Sequence, residues 1–369
     1  MNRFEDRAVP AVRTLRAYDP GHDLVALRRA AHARGLVELG SNENAYGCSP
    51  AVRRAVESCL NDLYRYPDPL GGDLKRALAA RLGVQVGQLL LGNGSHEILM
   101  QCAQVFAGPG DEVLMAQYGF AVYAIAAQCS GARLVMAPAL PADAAMPLGH
   151  DLDALLQRVG PATKLVYLAN PNNPTGTAFS RDDLAGWLSA CPAHVIVVVD
   201  EAYHEYRHEA GSAVDLLEAH PNLIVTRTFS KAHGLAALRV GYAAAHAEVI
   251  ALMERVRESF NVNMLGLAAA EAALSDDNHV ASVRARNAAE RSRLAAALRD
   301  LGYDSLPSHT NFLLVHVGAH CETVERQLLA AGVVPRPMGG YGLAEYLRIT
   351  VATAAENERL IEALTEISA

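Results

Sequence analysis

Cysteine is scarce and scattered. Cys48, Cys59, Cys102, Cys129, Cys191 and Cys321 form no C-x-x-C pair and share no repeated spacing along 369 residues. That excludes a disulfide framework or a Cys-based zinc site and leaves small buried hydrophobes as their reading. Charge of one sign is also lacking. Lys and Arg number 32 against 40 Asp and Glu, a net charge of −8 without any block of like charge. A large nucleic-acid footprint and a polybasic membrane anchor are thereby excluded, though a local basic pocket for a small anion is not. No long apolar run is present either. The opening Met1-Asn-Arg-Phe-Glu-Asp-Arg7 is charged, and the longest uncharged stretch, Val113–Ala132, is broken by Gln117, Gly119, Gln128 and Gly131. Neither a signal peptide nor a membrane span is expected, and neither a solenoid repeat nor a low-complexity tract is visible. A cytoplasmic protein acting on small molecules is the expectation.

What is there is an alternation of short apolar runs with amphipathic stretches, the mark of an α/β protein of two or three packing units. Strands are expected at Glu112–Ala116, Arg133–Ala137, Lys164–Ala169, His194–Val199, Leu223–Thr228 and Arg239–Ala243. Helices are expected between them at Ser95–Ala107, Phe120–Gln128, Leu152–Val159 and Arg181–Ala190. The run Val195-Ile-Val-Val-Val199 is β-branched without alternation, as strands buried on both faces of a parallel sheet are. Near Ser275 the pattern changes to a long charge-laced helix, Asp276–Leu301. A strand (Asn311–His316), a helix (Glu322–Ala331), a strand (Tyr346–Val351) and a last helix (Glu356–Ile367) follow. The division implied is a large α/β domain over 40–275, with residues 1–39 and 276–369 forming a smaller α+β domain.

The polar clusters sit just after expected strands. Asn170-Pro-Asn-Asn-Pro-Thr-Gly176, Asp200-Glu-Ala-Tyr203 and Phe229-Ser-Lys231 each follow one, and ligands bind at the carboxyl ends of parallel strands. A lysine there could be an ordinary surface residue. Its neighbours Thr228, Ser230 and Arg239 suit an anion such as phosphate, and Asp200, closing a buried strand, calls for a fixed positive partner. An amine able to form a Schiff base, a carboxylate for a pyridinium and a phosphate cradle together are what pyridoxal phosphate requires.

These segments resemble the signature of fold-type I pyridoxal-phosphate-dependent aminotransferases: Asn173-Pro-Thr-Gly, then Asp200-Glu-Ala-Tyr, then Thr228-Phe-Ser-Lys-Ala-His-Gly-Leu-Ala-Ala-Leu-Arg239-Val-Gly-Tyr. Five further segments resemble the histidinol-phosphate aminotransferase branch: Ser41-Asn-Glu-Asn44-Ala-Tyr-Gly, Tyr64-Arg-Tyr66-Pro-Asp-Pro, Gly92-Asn-Gly94-Ser95-His-Glu97, Thr310-Asn-Phe312 and Leu347-Arg348-Ile-Thr-Val. The likeness runs from about residue 15 to the end. It implies a large domain with a mostly parallel sheet flanked by helices, plus a smaller α+β domain. It also implies a homodimer with shared active sites, and transfer of an amino group between histidinol phosphate and 2-oxoglutarate or glutamate.

By that resemblance Lys231 carries the cofactor, Asp200 holds its ring nitrogen protonated, and Asn173 and Tyr203 bind the ring oxygen. Lys231, Asp200 and Tyr203 form the catalytic set. Phe120 takes the place of a ring-stacking aromatic, although it suits a core position equally. Gly94 and Ser95 offer N–H groups at a helix start to the phosphate, which Thr228, Ser230 and Arg239 complete and Tyr66 reaches from a partner subunit. Arg348, Arg336, Tyr18 and Asn44 are the implied substrate residues; Arg336 also suits a solvated loop. The Arg348 fork can grip a carboxylate or a phosphate. The chain departs from the family pattern at His96, where an acidic residue is usual, at Ala352 for a common Gly, and at Ala116-Gln117 where Pro is common.

Other readings stay open at this point. Relatives of this appearance include aromatic amino-acid aminotransferases and threonine-phosphate decarboxylases, so the cofactor is better specified than the substrate. His204-Glu-Tyr-Arg-His208 matches the H-E-x-x-H of zinc hydrolases, but it follows a strand at once and Gly211 interrupts any helix. No metal is expected.

Overall fold

A computed structural model describes residues 4–18, 21–30, 35–207 and 211–368. Its strands are β1 (Val37–Glu38), β2 (Leu89–Gly92), β3 (Glu112–Ala116), β4 (Arg133–Ala137), β5 (Thr163–Ala169), β6 (Ile196–Asp200), β7 (Leu223–Thr228), β8 (Gly241–Ala245), β9 (Asp304–Ser305), β10 (Phe312–His316), β11 (Val333–Val334), β12 (Arg336–Pro337) and β13 (Tyr346–Thr350). Seven of them form one sheet in the order β2-β8-β7-β6-β5-β3-β4. From β4 to β7 every neighbouring pair is parallel. Strand β8 runs antiparallel to both β7 and β2. The reason is chain length. A parallel neighbour needs a long crossover, usually helical, whereas the segment from Thr228 to Gly241 is a tight loop with one 3₁₀ turn.

The apolar runs behave as their composition demands. In β5 to β7, Val166, Leu168, Val197, Val199 and Val225 enter one core, while Leu165, Tyr167, Val198 and Ile224 enter the other. Both faces of the sheet are therefore covered, by the helices Ser95–Phe106 and Ala121–Ser130 among others on one side and by Gly72–Leu82, Arg181–Ala190 and Met264–Leu274 on the other. Local chemistry fixes the helix ends. Ser180 and Asp183 form a capping box, Asp276 caps the long helix Asp277–Asp300, and Gly131 ends Ala121–Ser130 with φ +80°. A second, antiparallel sheet, β12-β13-β10-β9, packs Leu313, Val315, Leu347 and Ile349 against Cys321–Ala330 and Ala354–Ser368. Strand β1 pairs in parallel with β11, which ties the amino-terminal segment to this part of the chain.

Boundaries moved by one or two residues. Asp200 is the last residue of β6, Phe120 precedes its helix as the cap, and β8 begins at Gly241, not Arg239. Arg239 instead adopts φ +55° at the end of the 3₁₀ turn, which swings its side chain back towards Ser230. Among the described residues no helix is long and apolar enough to cross a membrane.

Candidate active site

The carboxyl ends of β5, β6 and β7 open onto a cavity of about 290 Å³ lined by residues from both sheets. Asp200 stands at its floor, 5% exposed. Its Oδ2 accepts from the Tyr123 hydroxyl at 2.9 Å, and its Oδ1 accepts from the Thr226 hydroxyl and the Ala202 N–H, each at 3.2 Å. Among the described residues no cation pairs with it. Burial pushes its pKa up to about 6 even though all three donors favour the ionised form.

Lys231 lies above, in the turn after β7. Its Nζ donates to the carbonyls of Ser41 and Asn42 at 3.2 Å each and sits 5.6 Å over the Tyr203 ring. Burial, reinforced by the Arg348 charge, depresses the amine to about 7. An amine poised between its two protonation states near neutrality can act as nucleophile, base or acid. The Tyr203 hydroxyl accepts from Asn42 Nδ2 at 2.9 Å, and burial raises the phenol above its ordinary value.

Arg348, on β13, brings the second sheet into the site. Its Nη1 donates to Asn173 Oδ1 and its Nη2 to the Gly40 carbonyl, both at 2.6 Å. Arg348 is 7% exposed, and its guanidinium has no carboxylate partner among the described residues. Its Nε lacks any hydrogen-bond partner there. A buried carboxylate without a cation and a buried guanidinium without an anion thus face one cavity. Each is costly alone, and a ligand with a positive and a negative group would satisfy both.

The third cluster suits a phosphate. Gly94, at φ +79°, opens the helix Ser95–Phe106 with no side chain capping it, so its first N–H groups are left for an anion. Arg239 donates to Ser230 at 3.1 Å. A Cβ at Gly94 would come 2.3 Å from Arg239 Nη2, and one at Gly241 2.3 Å from Ser95 N. Thr228 accepts from the Ser230 N–H at 3.1 Å and so fixes the turn.

Thr228, Ser230, Lys231, Asp200, Tyr203, Asn173, Ser95, Phe120, Arg239, Arg348, Arg336 and Tyr18 all line this one cavity. Phe120 meets Tyr18 and Tyr123 edge-on, at 6.4 Å and 5.8 Å. Asn44 stands outside it. Its amide braces the Gly47 and Ala232 carbonyls at 3.1 and 2.9 Å, while Asn42, two residues earlier, lines the site. Tyr66 is 79% exposed and stacked on Phe260 at 4.6 Å, away from the cavity of its own chain. Sequence reasoning also missed Tyr123 and Thr226, whereas Tyr341 comes from the glycine-rich loop Gly339-Gly-Tyr-Gly342, able to reach over a ligand. Tyr123 follows Phe120 by one helical turn, which was the available signal; Tyr341 accepts from the Ala121 N–H at 3.3 Å, a contact of the folded chain alone. His96 lines the site, held below its ordinary pKa by burial and by Arg239. The zinc reading loses its premise, because His204–Tyr206 forms a 3₁₀ turn and not an α-helix. His208 lies outside the described residues.

The model of the aminotransferase class I and II family matches residues 34–364. The chain belongs to the class I and II aminotransferases. Among this aminotransferase's relatives, a protein of Methylococcus capsulatus named histidinol-phosphate aminotransferase 2 is 46% identical over 98% of both chains. Histidinol-phosphate aminotransferase 1 of Nitrosococcus oceani is 44% identical over 99% of this chain and 97% of its own. The crystal structure of histidinol-phosphate aminotransferase from Sinorhizobium meliloti, in complex with pyridoxal 5'-phosphate, superimposes with a TM-score of 0.89 at 32% identity. It covers 98% of this aminotransferase and 97% of its own chain.

Proposed function

We propose that this aminotransferase uses pyridoxal 5'-phosphate to move an amino group between histidinol phosphate and 2-oxoglutarate. The observation that carries the cofactor reading is the pairing of an amine depressed to about 7 at Lys231 with a cation-less buried carboxylate at Asp200, in one cavity. The cradle around Ser95, Ser230 and Arg239, closed to any Cβ at Gly94 or Gly241, fits the phosphate. The substrate reading rests on the names of the relatives and on Arg348 and Arg336, two guanidinium groups suited to an anionic substrate.

When bound, pyridoxal phosphate supplies an electrophilic carbon and an electron-withdrawing ring. Lys231 would hold it covalently. Asp200 would keep its ring nitrogen protonated, and Tyr203 and Asn173 would bind its ring oxygen. Gly94, Ser95, Thr228, Ser230 and Arg239 would seat its phosphate, and Phe120 would cover a ring face. Freed from that bond, Lys231 would take the proton from the amine-bearing carbon of the substrate and deliver it to the cofactor, a role its depressed pKa suits. Arg348 would orient the substrate's carboxylate or phosphate, assisted by Arg336 and Tyr18, which line the same cavity.

Residues 40–275 are read as the cofactor-binding domain, with 1–39 and 276–369 as the smaller one; the separate sheets support that division. A cytoplasmic homodimer completes the reading. Tyr66 lies on an exposed apolar patch with Leu63, Tyr64, Leu70 and Phe260, from which a second copy would receive it.

The test is a visible absorption spectrum titrated with histidinol phosphate, glutamate, phenylalanine and tyrosine. Conversion of the cofactor to its amine form at the lowest concentration by histidinol phosphate is the expected result. Conversion by an aromatic amino acid instead would retain the cofactor and overturn the substrate. Lys231→Ala should lower turnover on the order of 10⁴-fold while the fold persists; full activity in that variant overturns the mechanism.

A further inference from the structure

The helix Ala121–Ser130 delivers to the site a group that no motif marks. Tyr123 is fully buried, and its hydroxyl donates to Asp200 Oδ2 at 2.9 Å. Its ring cannot turn aside. It lies parallel to Tyr167, 4.7 Å away with 2° between the planes, and meets the edge of Phe120 at 5.8 Å. Tyr167 is anchored in turn by its own hydroxyl on the Leu99 carbonyl at 2.6 Å.

Besides Tyr123, titratable groups reach the surroundings of Asp200 from several elements. Cys102 comes from the helix Ser95–Phe106, Tyr167 from β5, Glu201 and Tyr203 from the segment after β6, and Lys231 from the turn after β7. Burial keeps the Cys102 thiol and the Tyr167 and Tyr203 phenols protonated. Glu201 is occupied by Arg227, Ser212 and the Ala213 N–H. Of the three donors on the Asp200 carboxylate, the Tyr123 hydroxyl makes the shortest hydrogen bond, 2.9 Å against 3.2 Å for both the Thr226 hydroxyl and the Ala202 N–H.

We propose that Tyr123 is a positioning residue that holds Asp200 ionised and so sets the charge on the cofactor's ring nitrogen. The inference rests on the pyridoxal-phosphate reading above. Its chemistry is proton placement alone. A carboxylate that keeps an oriented donor gives its proton up to the ring nitrogen, while one that loses the donor in a buried site retains the proton and leaves that nitrogen neutral.

Tyr123→Phe preserves the ring and its stacking and removes only the hydroxyl. Tyr167→Phe is the control, since it removes an equally buried hydroxyl that does not touch Asp200. Pyridoxal-phosphate affinity of the apoprotein, followed by calorimetry from pH 5.5 to 8.5, and the pH profile of kcat/KM are the two readouts. In Tyr123→Phe we expect the acid limb to move up by about one pH unit and cofactor affinity near pH 6 to fall about tenfold, the loss shrinking towards pH 8. Tyr167→Phe should leave both within about twofold. Thr226→Val, which removes a donor from Oδ1, should move both in the same direction by less, and it carries the test if Tyr123→Phe does not fold. Unshifted profiles in the Asp200-donor variants, or an equal shift in Tyr167→Phe, overturn the inference alone. A wild-type chain that fails to take up pyridoxal phosphate overturns the functional reading and the inference with it.

Discussion

At the scale of the residue, the site is a set of charges held where water cannot reach them. Asp200 is the clearest case. Its folded-state pKa of about 6 lies above the ordinary value near 3.8, so the fold binds a proton more tightly than the unfolded chain does, and this group's contribution to stability falls as pH rises through that interval. Asp200→Asn cannot ionise. The stability of the Asn apoprotein relative to wild type should therefore improve as pH is raised from about 4 to 6 and stay level above, by on the order of 1–3 kcal/mol. Parallel thermal melts of the two apoproteins at pH 4.5 and 7 measure this; a constant difference would contradict the buried, cation-less carboxylate. The same substitution should abolish productive cofactor binding, since the residue needed by the site is costly to the fold.

Elements bring these residues into register. The phosphate cradle depends on the close approach of β8 to the start of the helix Ser95–Phe106, and Gly241 makes that approach possible. A Cβ there would lie 2.3 Å from Ser95 N and 2.6 Å from the Gly94 carbonyl carbon, both backbone atoms that cannot rotate away. Gly241→Ala should displace the helix start, lower the apoprotein's stability by about 1–3 kcal/mol, and weaken pyridoxal-phosphate binding at least tenfold. Cofactor titration of a variant that still folds is the measurement. Unchanged affinity would mean that the helix start does not hold the phosphate. The capping box of Ser180 and Asp183 shows the contrasting case, a helix end settled by its own side chains and with no bearing on the ligand.

For the whole molecule, the informative feature is what one chain leaves uncovered. Leu63, Tyr64, Tyr66 and Leu70 are each more than half exposed and cluster in one short segment. Tyr66 stacks on Phe260, which itself holds φ +58°. Such a surface is expensive in water unless a partner covers it. Sedimentation velocity of the wild-type chain should give a dimer. Tyr66→Arg should shift the equilibrium towards monomer and lower cofactor affinity along with it. A wild-type monomer with full activity would remove the shared-site reading and leave the rest of the site standing.

The runs that form β3 to β7, their buried character and the placing of Asn173, Asp200 and Lys231 just after such runs were legible in the sequence because each depends on local pattern: β-branched runs, and polar residues placed where those runs stop. What stayed hidden depends on contacts between distant segments. The antiparallel turn of β8 and its start at Gly241 follow from a connection too short to cross over, and Arg239 reaches Ser230 only through its left-handed backbone. Asn42, not Asn44, lines the cavity, because the loop's Asn44 amide is used on the backbone of Gly47 and Ala232. The sequence by itself determined which chemical groups this protein carries to one edge of one sheet. Only the tertiary structure decided their protonation, by burying Asp200 with Tyr123 and Lys231 with Arg348, since desolvation and the distance between charges exist only once the chain has packed.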